Sequence, residues 1–147
     1  MARPVTIRGL LHPACGPVVR VLVYGAEATH GVAVLDTGAS MSVIDKSLAR
    51  ALELPSPGFA EWTGISESGE PSMAALRSTR FGLVGDQRLY EMDLLEAGGV
   101  RGSVAGLGVL LLLGWDFLGD CRLVCDGPAG AFELRLPPVP KPARRRR

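Results

Sequence analysis

The sequence predicts an all-β fold with one main helix and one short helix. Its 19 glycines and 11 prolines divide the 147 residues into short segments, a pattern typical of strands joined by turns. Several segments are rich in valine and leucine, whereas only one carries apolar residues at helical spacing. Apolar residues make up 47% of the chain and the formal net charge is +1, which excludes a disordered chain and argues against a nucleic-acid-binding domain.

The first half of the chain predicts a hairpin followed by the main helix. Val18–Tyr24 and Gly31–Leu35 are strand segments separated by a short loop. The second is apolar on both faces, as in a strand that is buried on both sides. Asp45 is placed to cap a helix over Lys46–Leu54. Pro55 ends that helix, because the residue before a proline is pushed out of the α region.

The second half predicts strands and turns around a short helix. A polar hairpin is expected over Glu61–Glu70 and a glycine-rich loop over Glu96–Gly108. Asp126-Gly127 is a strong turn signal between the last two strands. The predicted strands are Met73–Val84, Arg88–Leu95, Val109–Leu113, Arg122–Cys125 and Ala131–Leu136, and the short helix runs from Trp115 to Gly119.

Both ends of the chain are expected to lie outside the folded domain. We predict an N-terminal segment over residues 1–15, a domain over 16–136 and a Pro/Arg-rich tail over 137–147. Arg144–Arg147 is interpreted as a solvated basic end, with a contact to nucleic acid or to an acidic partner as the alternative. No signal peptide or membrane-spanning segment is evident, so we expect a cytoplasmic protein without a membrane partner.

The three cysteines predict no special chemistry. Cys15, Cys121 and Cys125 are too few, and odd in number, for a disulfide framework. The pair Cys121 and Cys125 has no second pair of ligands with suitable spacing, which disfavours a zinc site. We therefore expect free, buried thiols, no metal and no cofactor.

One short stretch carries residues suited to catalysis: Asp36, Thr37, Gly38, Ala39 and Ser40. It places a carboxylate at the end of a buried apolar strand, where a charge is costly unless it is hydrogen-bonded or shares a proton. Thr37 supplies a hydroxyl. Gly38 permits a tight turn that brings backbone amides close to the carboxylate. The small residues Ala39 and Ser40 keep the surroundings open.

The sequence Asp36-Thr37-Gly38-Ala39 after apolar residues resembles the active-site loop of aspartic proteases. Leu112-Leu113-Gly114 is similar to the apolar-apolar-glycine sequence that lies behind that loop in the family, and Trp115–Leu118 to the short helix that follows it. Order and spacing agree from about residue 18 to 136 with the retropepsin-like branch, which includes retroviral and retroelement proteases and small bacterial relatives. The resemblance implies a closed, barrel-like acid-protease half-fold.

The chain has one such loop, whereas pepsin-like enzymes carry two. The resemblance therefore implies a homodimeric aspartic endopeptidase with one Asp36 from each subunit at the two-fold axis. The two carboxylates would share one proton and activate a water. By the same resemblance, Thr37 bonds across the axis, and Gly38 sets the loop geometry and offers its carbonyl to substrate. Ala131–Leu136 is expected to contribute to the sheet between subunits.

A second group of residues is expected to contact substrate. The hairpin after Trp62 falls where the family has its flap, a hinged element that closes over an extended peptide. Its polar tip departs from viral proteases, in which the tip is nearly all glycine and isoleucine. Substrate would add as a β-strand, which makes a peptide or protein the partner besides the second subunit. The candidate substrate-binding residues are Ala39, Ser40, Trp62, Gly64, Ile65, Ser66 and Gly69.

Three further residues have simpler interpretations. Asp116 is interpreted as a helix-start residue that satisfies backbone amides of its own helix. Trp115 could line the site or fill the core, and the core is its default interpretation. His30 lies on the strand before Asp36 and raises the question of a Ser-His-Asp site. No Gly-x-Ser-x-Gly elbow accompanies it, which disfavours that site.

Two alternatives to an active enzyme stay open. The chain could form a retropepsin-like dimer that binds peptides or scaffolds a partner without cleavage, because a fold does not guarantee its chemistry. It could also be a piece of a retroelement polyprotein, which its start at Met1 and its tail after Leu136 disfavour. The intact Asp36-Thr37-Gly38 favours the enzyme, since a binding protein has no need of buried carboxylates that destabilise its dimer.

Overall fold

Ten strands form one continuous sheet in the computed structural model, which describes residues 3–62 and 72–138. Two short helices interrupt the strands within these residues. The strands are β1 (Thr6–His12), β2 (Gly16–Tyr24), β3 (Ala28–Leu35), β4 (Val43–Asp45), β5 (Gly58–Trp62), β6 (Ser72–Leu83), β7 (Leu89–Ala97), β8 (Val109–Leu113), β9 (Arg122–Asp126) and β10 (Ala131–Arg135), and the helices are α1 (Lys46–Ala51) and α2 (Trp115–Leu118).

Six of the strands close into a barrel in the order β6-β7-β4-β8-β3-β2, and pairing of β2 with β6 completes the circle. β5 extends the sheet beyond β6, and β1, β10 and β9 extend it beyond β2. Closure leaves the barrel strands without a free edge. Among the described strands, β5 and β9 are the two with an unpaired edge. The predicted all-β, closed-barrel fold is confirmed.

The parallel pair β3–β8 is the part of the barrel that positions the candidate site. Val34 pairs with Leu112 and Leu35 with Leu113, so the two strands end side by side. β3 is buried on both faces, as predicted, with Ala33 and Leu35 in the main core and Val34 in a second apolar cluster. The chain segments that follow β3 and β8 therefore leave the sheet at the same place.

Helix α2 is anchored to the barrel by an aromatic cluster. The ring of Phe117 lies 5.5 Å from that of Tyr90 and 6.1 Å from that of Phe81, measured between centroids. Phe81 and Tyr90 stack on each other at 5.5 Å. Such aromatic contacts add about 0.5–1.5 kcal/mol each beyond area burial. Phe117 and Leu118 are both buried, so this single helical turn is held firmly on the core.

Helix α1 is shorter than predicted, but its cap is the predicted residue. The helix ends at Ala51 rather than Leu54, because Glu53 adopts a positive φ of 52° that turns the chain before Pro55. Asp45 accepts a hydrogen bond from the Leu48 amide at 3.1 Å and caps the helix.

The carboxyl of Asp45 is also tied to the loop after β7. Its second oxygen accepts a hydrogen bond from the Arg101 amide at 3.0 Å, and Ser47 donates to the first. Burial raises the pKa of Asp45, but the hydrogen bonds from Ser47, Arg101 and Leu48 outweigh burial and hold that pKa below its usual value. The cap therefore stays ionised at neutral pH.

One strand was not predicted at all. β1 lies in the segment expected to precede the domain, yet it pairs with β10 from Thr6 to Leu10. Gly9 makes this pairing possible, because an added Cβ would lie 2.7 Å from the Phe132 ring. The strand is half-exposed and lacks a regular apolar alternation, which explains why its sequence carries a weak signal.

Two smaller observations complete the comparison. All three cysteines are free, as expected, but the prediction that they are buried was wrong: Cys15 and Cys121 are half-buried, and Cys125 on the edge strand β9 is exposed. Within residues 3–62 and 72–138, no helix has both the length and the apolar character needed to cross a membrane.

Candidate active site

Asp36 lies immediately after β3, at the surface end of the β3–β8 pair. Its backbone amide donates to the Leu113 carbonyl at 2.8 Å, which fixes the start of the loop on β8. Its carboxylate oxygen Oδ1 accepts a hydrogen bond from the Gly38 amide at 3.0 Å. Among the described residues, Oδ2 has no hydrogen-bond partner, and Asp36 is half-buried. One oxygen is thus held by the loop and the other is available to a ligand.

The loop turns tightly after Asp36 and exposes Thr37 and Gly38. The Ala39 amide donates back to the Asp36 carbonyl at 3.2 Å, which closes the turn. Ala39 is half-buried and Ser40 exposed. The five residues that the sequence singled out therefore form one surface loop around the carboxylate.

Gly114 lies directly behind this loop. A Cβ at this position would lie 2.6 Å from the Ala39 carbonyl oxygen and 3.0 Å from the Met41 carbonyl. Both contacts are with backbone, which cannot move aside without moving the loop. Leu113 is fully buried in the main core, and Leu112 is half-buried between Val34 and Val43. The close approach of β8 to the loop requires glycine here.

Asp116 binds the far end of the loop, a role that sequence reasoning missed. Its carboxylate accepts hydrogen bonds from the Ser42 amide at 2.9 Å and from the Ser42 hydroxyl at 2.5 Å. The Ser42 oxygen in turn accepts from the Gly114 amide at 2.9 Å. The interpretation of Asp116 as a residue that satisfies its own helix was wrong, because its partner lies on a segment 74 residues earlier. No local pattern signals so distant a contact.

Trp115 lies beside the loop, as in the alternative to its default interpretation as a core residue. It is 52% exposed rather than part of the core. Its indole Nε1–H donates to the Thr37 carbonyl oxygen at 2.6 Å, and its amide donates to the Ala39 carbonyl at 2.9 Å. The indole N–H therefore has its hydrogen-bond partner although the ring lies at the surface.

An open pocket of about 350 Å³ adjoins the loop on the side of β9. Burial, assisted by the charge of Asp120, raises the pKa of the Cys121 thiol in its wall to about 11. This thiol therefore stays protonated at neutral pH and offers no thiolate nucleophile. The residues that line the pocket are Thr37, Trp115, Leu118, Cys121, Arg122 and Leu123.

The predicted flap is only partly within the described residues. Trp62 is 42% exposed at the end of β5, where it pairs with Ser72 of β6. The inner side of these strands, formed by Ala60 and Ala74, packs near Met41. The remaining predicted flap residues, Gly64, Ile65, Ser66 and Gly69, lie outside the described residues.

Other chemistries find little support in this part of the molecule. His30 lies near the start of β3, roughly 20 Å from its end at about 3.3 Å per residue, so it does not join Asp36 in a triad. In residues 3–62 and 72–138, no three His, Cys, Asp or Glu side chains are grouped to hold a metal ion.

Comparison with known proteins identifies a family. The family model for aspartyl proteases matches residues 19–117, a range that includes the loop at Asp36 and the helix start at Trp115. No curated protein matches the chain significantly. The chain is similar to a retropepsin-like aspartic protease from Rickettsia conorii, with 18% identity, a TM-score of 0.49 and coverage of 92% of this chain and 97% of the other. It is also similar to the retroviral protease-like domain of Ddi1 from Leishmania major, with 14% identity, a TM-score of 0.44 and coverage of 82% and 95%.

Proposed function

This chain belongs to the aspartyl protease family, and from that premise we propose that it is a homodimeric endopeptidase that hydrolyses peptide bonds with the paired Asp36 carboxylates of two subunits. The observation that carries the proposal is the position of Asp36 at the open end of the β3–β8 pair. One carboxylate oxygen is held by Gly38, and the neighbouring Thr37 is exposed. A second copy of the loop could approach there.

The mechanism follows from placing two carboxylates at one point. Two such groups in contact cannot both ionise, so they share one proton. The ionised carboxylate removes a proton from a bound water, whose oxygen attacks the scissile carbonyl carbon. The protonated carboxylate donates its proton to the carbonyl oxygen. When the tetrahedral intermediate collapses, the carboxyl that took the proton of water gives it to the amide nitrogen, a hydroxyl of the intermediate returns a proton to the other carboxylate, and the C–N bond breaks. No covalent intermediate with the protein forms.

The exposed surface around the loop supports the proposal that a second copy of this chain binds there. Thr37 and Trp115 are exposed beside a pocket that opens toward the start of β9. β10, which was expected to contribute to the dimer sheet, is paired on both sides by β1 and β9. We therefore infer that β9 provides the contact edge and that β10 lies one strand further in.

The sequence of β9 is self-complementary for antiparallel pairing with itself. Arg122, Val124 and Asp126 share its exposed face, and Val124 is 44% exposed. If two β9 strands pair about a two-fold axis at Val124, Arg122 of each subunit lies opposite Asp126 of the other. Opposite charges across a strand pair are stabilising and like charges destabilising, so this register is favoured over slipped ones.

Charge reversal at β9 tests this arrangement. Arg122→Glu is expected to raise the dimer dissociation constant by about tenfold, because two attractive contacts per dimer become repulsive. Adding Asp126→Arg to that variant is expected to restore dimerisation. Asp126 also accepts the Ala129 amide at 3.0 Å within the turn. Asp126→Asn keeps an acceptor for that amide and is expected to weaken dimerisation through loss of charge alone. Sedimentation equilibrium over a concentration series measures each constant. Unchanged dimerisation of Arg122→Glu would exclude this register.

The proposed activity is tested by cleavage of a diverse peptide pool from acid to neutral pH. Wild type is expected to cut peptides and to be blocked by a pepstatin-like inhibitor. Asp36→Asn is expected to lose activity by at least about a thousandfold, because an amide cannot exchange the catalytic proton. Equal cleavage by both proteins would indicate a contaminant. A folded, dimeric wild type that cuts nothing would instead favour a peptide-binding dimer.

A further inference from the structure

We propose that the side chains of Trp115 and Asp116 form a clamp that sets the position of Asp36, and that both are positioning residues for catalysis. The proposal rests on the proposed function above. The α2 clamp consists of two hydrogen-bonded contacts, from Trp115 to the Thr37 carbonyl and from Asp116 to Ser42. These contacts hold the two ends of the loop that follows Asp36.

The geometry of a single helical turn explains how two consecutive residues reach both ends. Successive side chains on a helix point about 100° apart. Trp115 thereby reaches Thr37 at the exposed side of the loop, and Asp116 reaches Ser42 at its buried side. Between them, the Trp115 amide holds the Ala39 carbonyl. The Asp116 amide also donates to the Ser40 carbonyl at 3.3 Å, so α2 is bonded to four residues of the loop.

The clamp is rigid because each of its parts is buried or anchored. Phe117 and Leu118 fix α2 in the aromatic core. Ser42 has no exposed surface, so its amide and hydroxyl depend on Asp116 for hydrogen bonds. Leaving such buried donors without an acceptor is destabilising. The Ser42 carbonyl also accepts from Leu95 at 3.0 Å, which connects the clamp to β7.

In a symmetric dimer, any displacement of the loop caused by loss of the clamp would occur in both subunits. A shift of the loop in one subunit is repeated in the other, so the separation of the two carboxylates would change through both. Catalysis is sensitive to such displacements, since a misplacement of about 1 Å can cost on the order of a hundredfold in rate. The expected substrate contacts are shared between this loop and the flap, so substrate binding is expected to change less than the rate.

The experiment compares Trp115→Phe and Asp116→Asn with wild type at concentrations where each is shown to be dimeric. Trp115→Phe deletes the indole N–H together with part of the ring system, and Asp116→Asn replaces one acceptor oxygen by an amide group of the same shape. We expect kcat per folded dimer to fall by about tenfold to a hundredfold, while KM stays within about threefold. Glu53→Gln removes the same charge as Asp116→Asn from an exposed position after α1, and we expect it to leave both constants unchanged.

Two further readouts separate positioning from stability alone. The effect of Asp116→Asn on kcat is expected to be smaller in a Ser42→Ala background, because the two residues act through one contact. Hydrogen exchange of peptides covering residues 36–42 is expected to be faster in both clamp variants, with exchange over β8 unchanged. This readout needs no activity, so it tests the clamp even if wild type cleaves nothing and the proposed function fails. An unchanged kcat in an active enzyme, unchanged loop exchange, or a Trp115→Phe defect confined to dimerisation would overturn the proposal.

Discussion

Mixing wild-type subunits with an equal amount of Asp36→Asn subunits is expected to leave about half of the peptide cleavage that dilution alone leaves. If the site needs one Asp36 from each subunit, a mixed dimer is inactive, because the asparagine can neither hold nor release the shared proton. When the two proteins are mixed in equal amounts and exchange fully, about a quarter of the dimers contain two wild-type subunits, so about a quarter of the activity of an all-wild-type sample remains. A site complete within one subunit would retain about half of that activity.

The mixing experiment carries its own controls. Immediately after mixing, the activity should equal that of the wild-type protein present. It should then fall as the subunits exchange. Mixing with Glu53→Gln subunits, which carry an intact Asp36, should cause no loss. Activity that follows the wild-type fraction linearly after proven exchange would contradict a shared site. Asp36→Asn is a suitable partner because it keeps the shape of the loop, including an oxygen that can accept the Gly38 amide.

Gly114→Ala is expected to damage both stability and catalysis. The new methyl group would lie 2.6 Å from the Ala39 carbonyl oxygen, well inside contact distance. The backbone of Gly114 has a φ of −96°, which alanine can adopt, so the effect is purely steric. We expect a loss of about 1–3 kcal/mol in the free energy of unfolding. We also expect a fall in kcat of about a hundredfold, because the loop that carries Asp36 must move.

Gly98→Ala is the matched control for this substitution. A Cβ at Gly98 meets nothing within 4 Å, so the same chemical change should alter neither quantity appreciably. Urea unfolding measures the stability of each variant, and kcat is taken per folded dimer. A Gly114→Ala protein as stable and as active as wild type would show that the loop does not depend on the close passage of β8.

Much of the site could be predicted because its signals are local in sequence. The loop from Asp36 to Ser40 is contiguous, and the apolar residues before it mark a strand buried on both faces. Leu112-Leu113-Gly114 is equally compact. The structure brings these two segments together through the parallel pairing of β3 and β8. The predicted cap at Asp45 succeeded for the same reason, since its partner Leu48 is three residues away.

The errors involve residues whose partners lie far away along the chain. Trp115 is apolar and aromatic, so its default interpretation is a core residue, yet its hydrogen bond to Thr37 holds it at the surface. β1 has an irregular apolar pattern, and its strand pairing with β10 spans almost the whole chain. Neither the partner nor the exposure of such residues follows from composition or periodicity.

The sequence by itself determined the fold class and the family and singled out Asp36 as the candidate catalytic carboxylate, because each depends on contiguous residue types and on the spacing of glycines. Only the tertiary structure decided what surrounds that carboxylate. It placed Gly114 against the Ala39 carbonyl, Asp116 against Ser42 and the free edge of β9 beside Thr37. These contacts arise because the closed barrel brings together segments that are more than seventy residues apart in sequence. Each contact is a single hydrogen bond of about 3 Å between two residues, so it produces no periodic pattern in either segment.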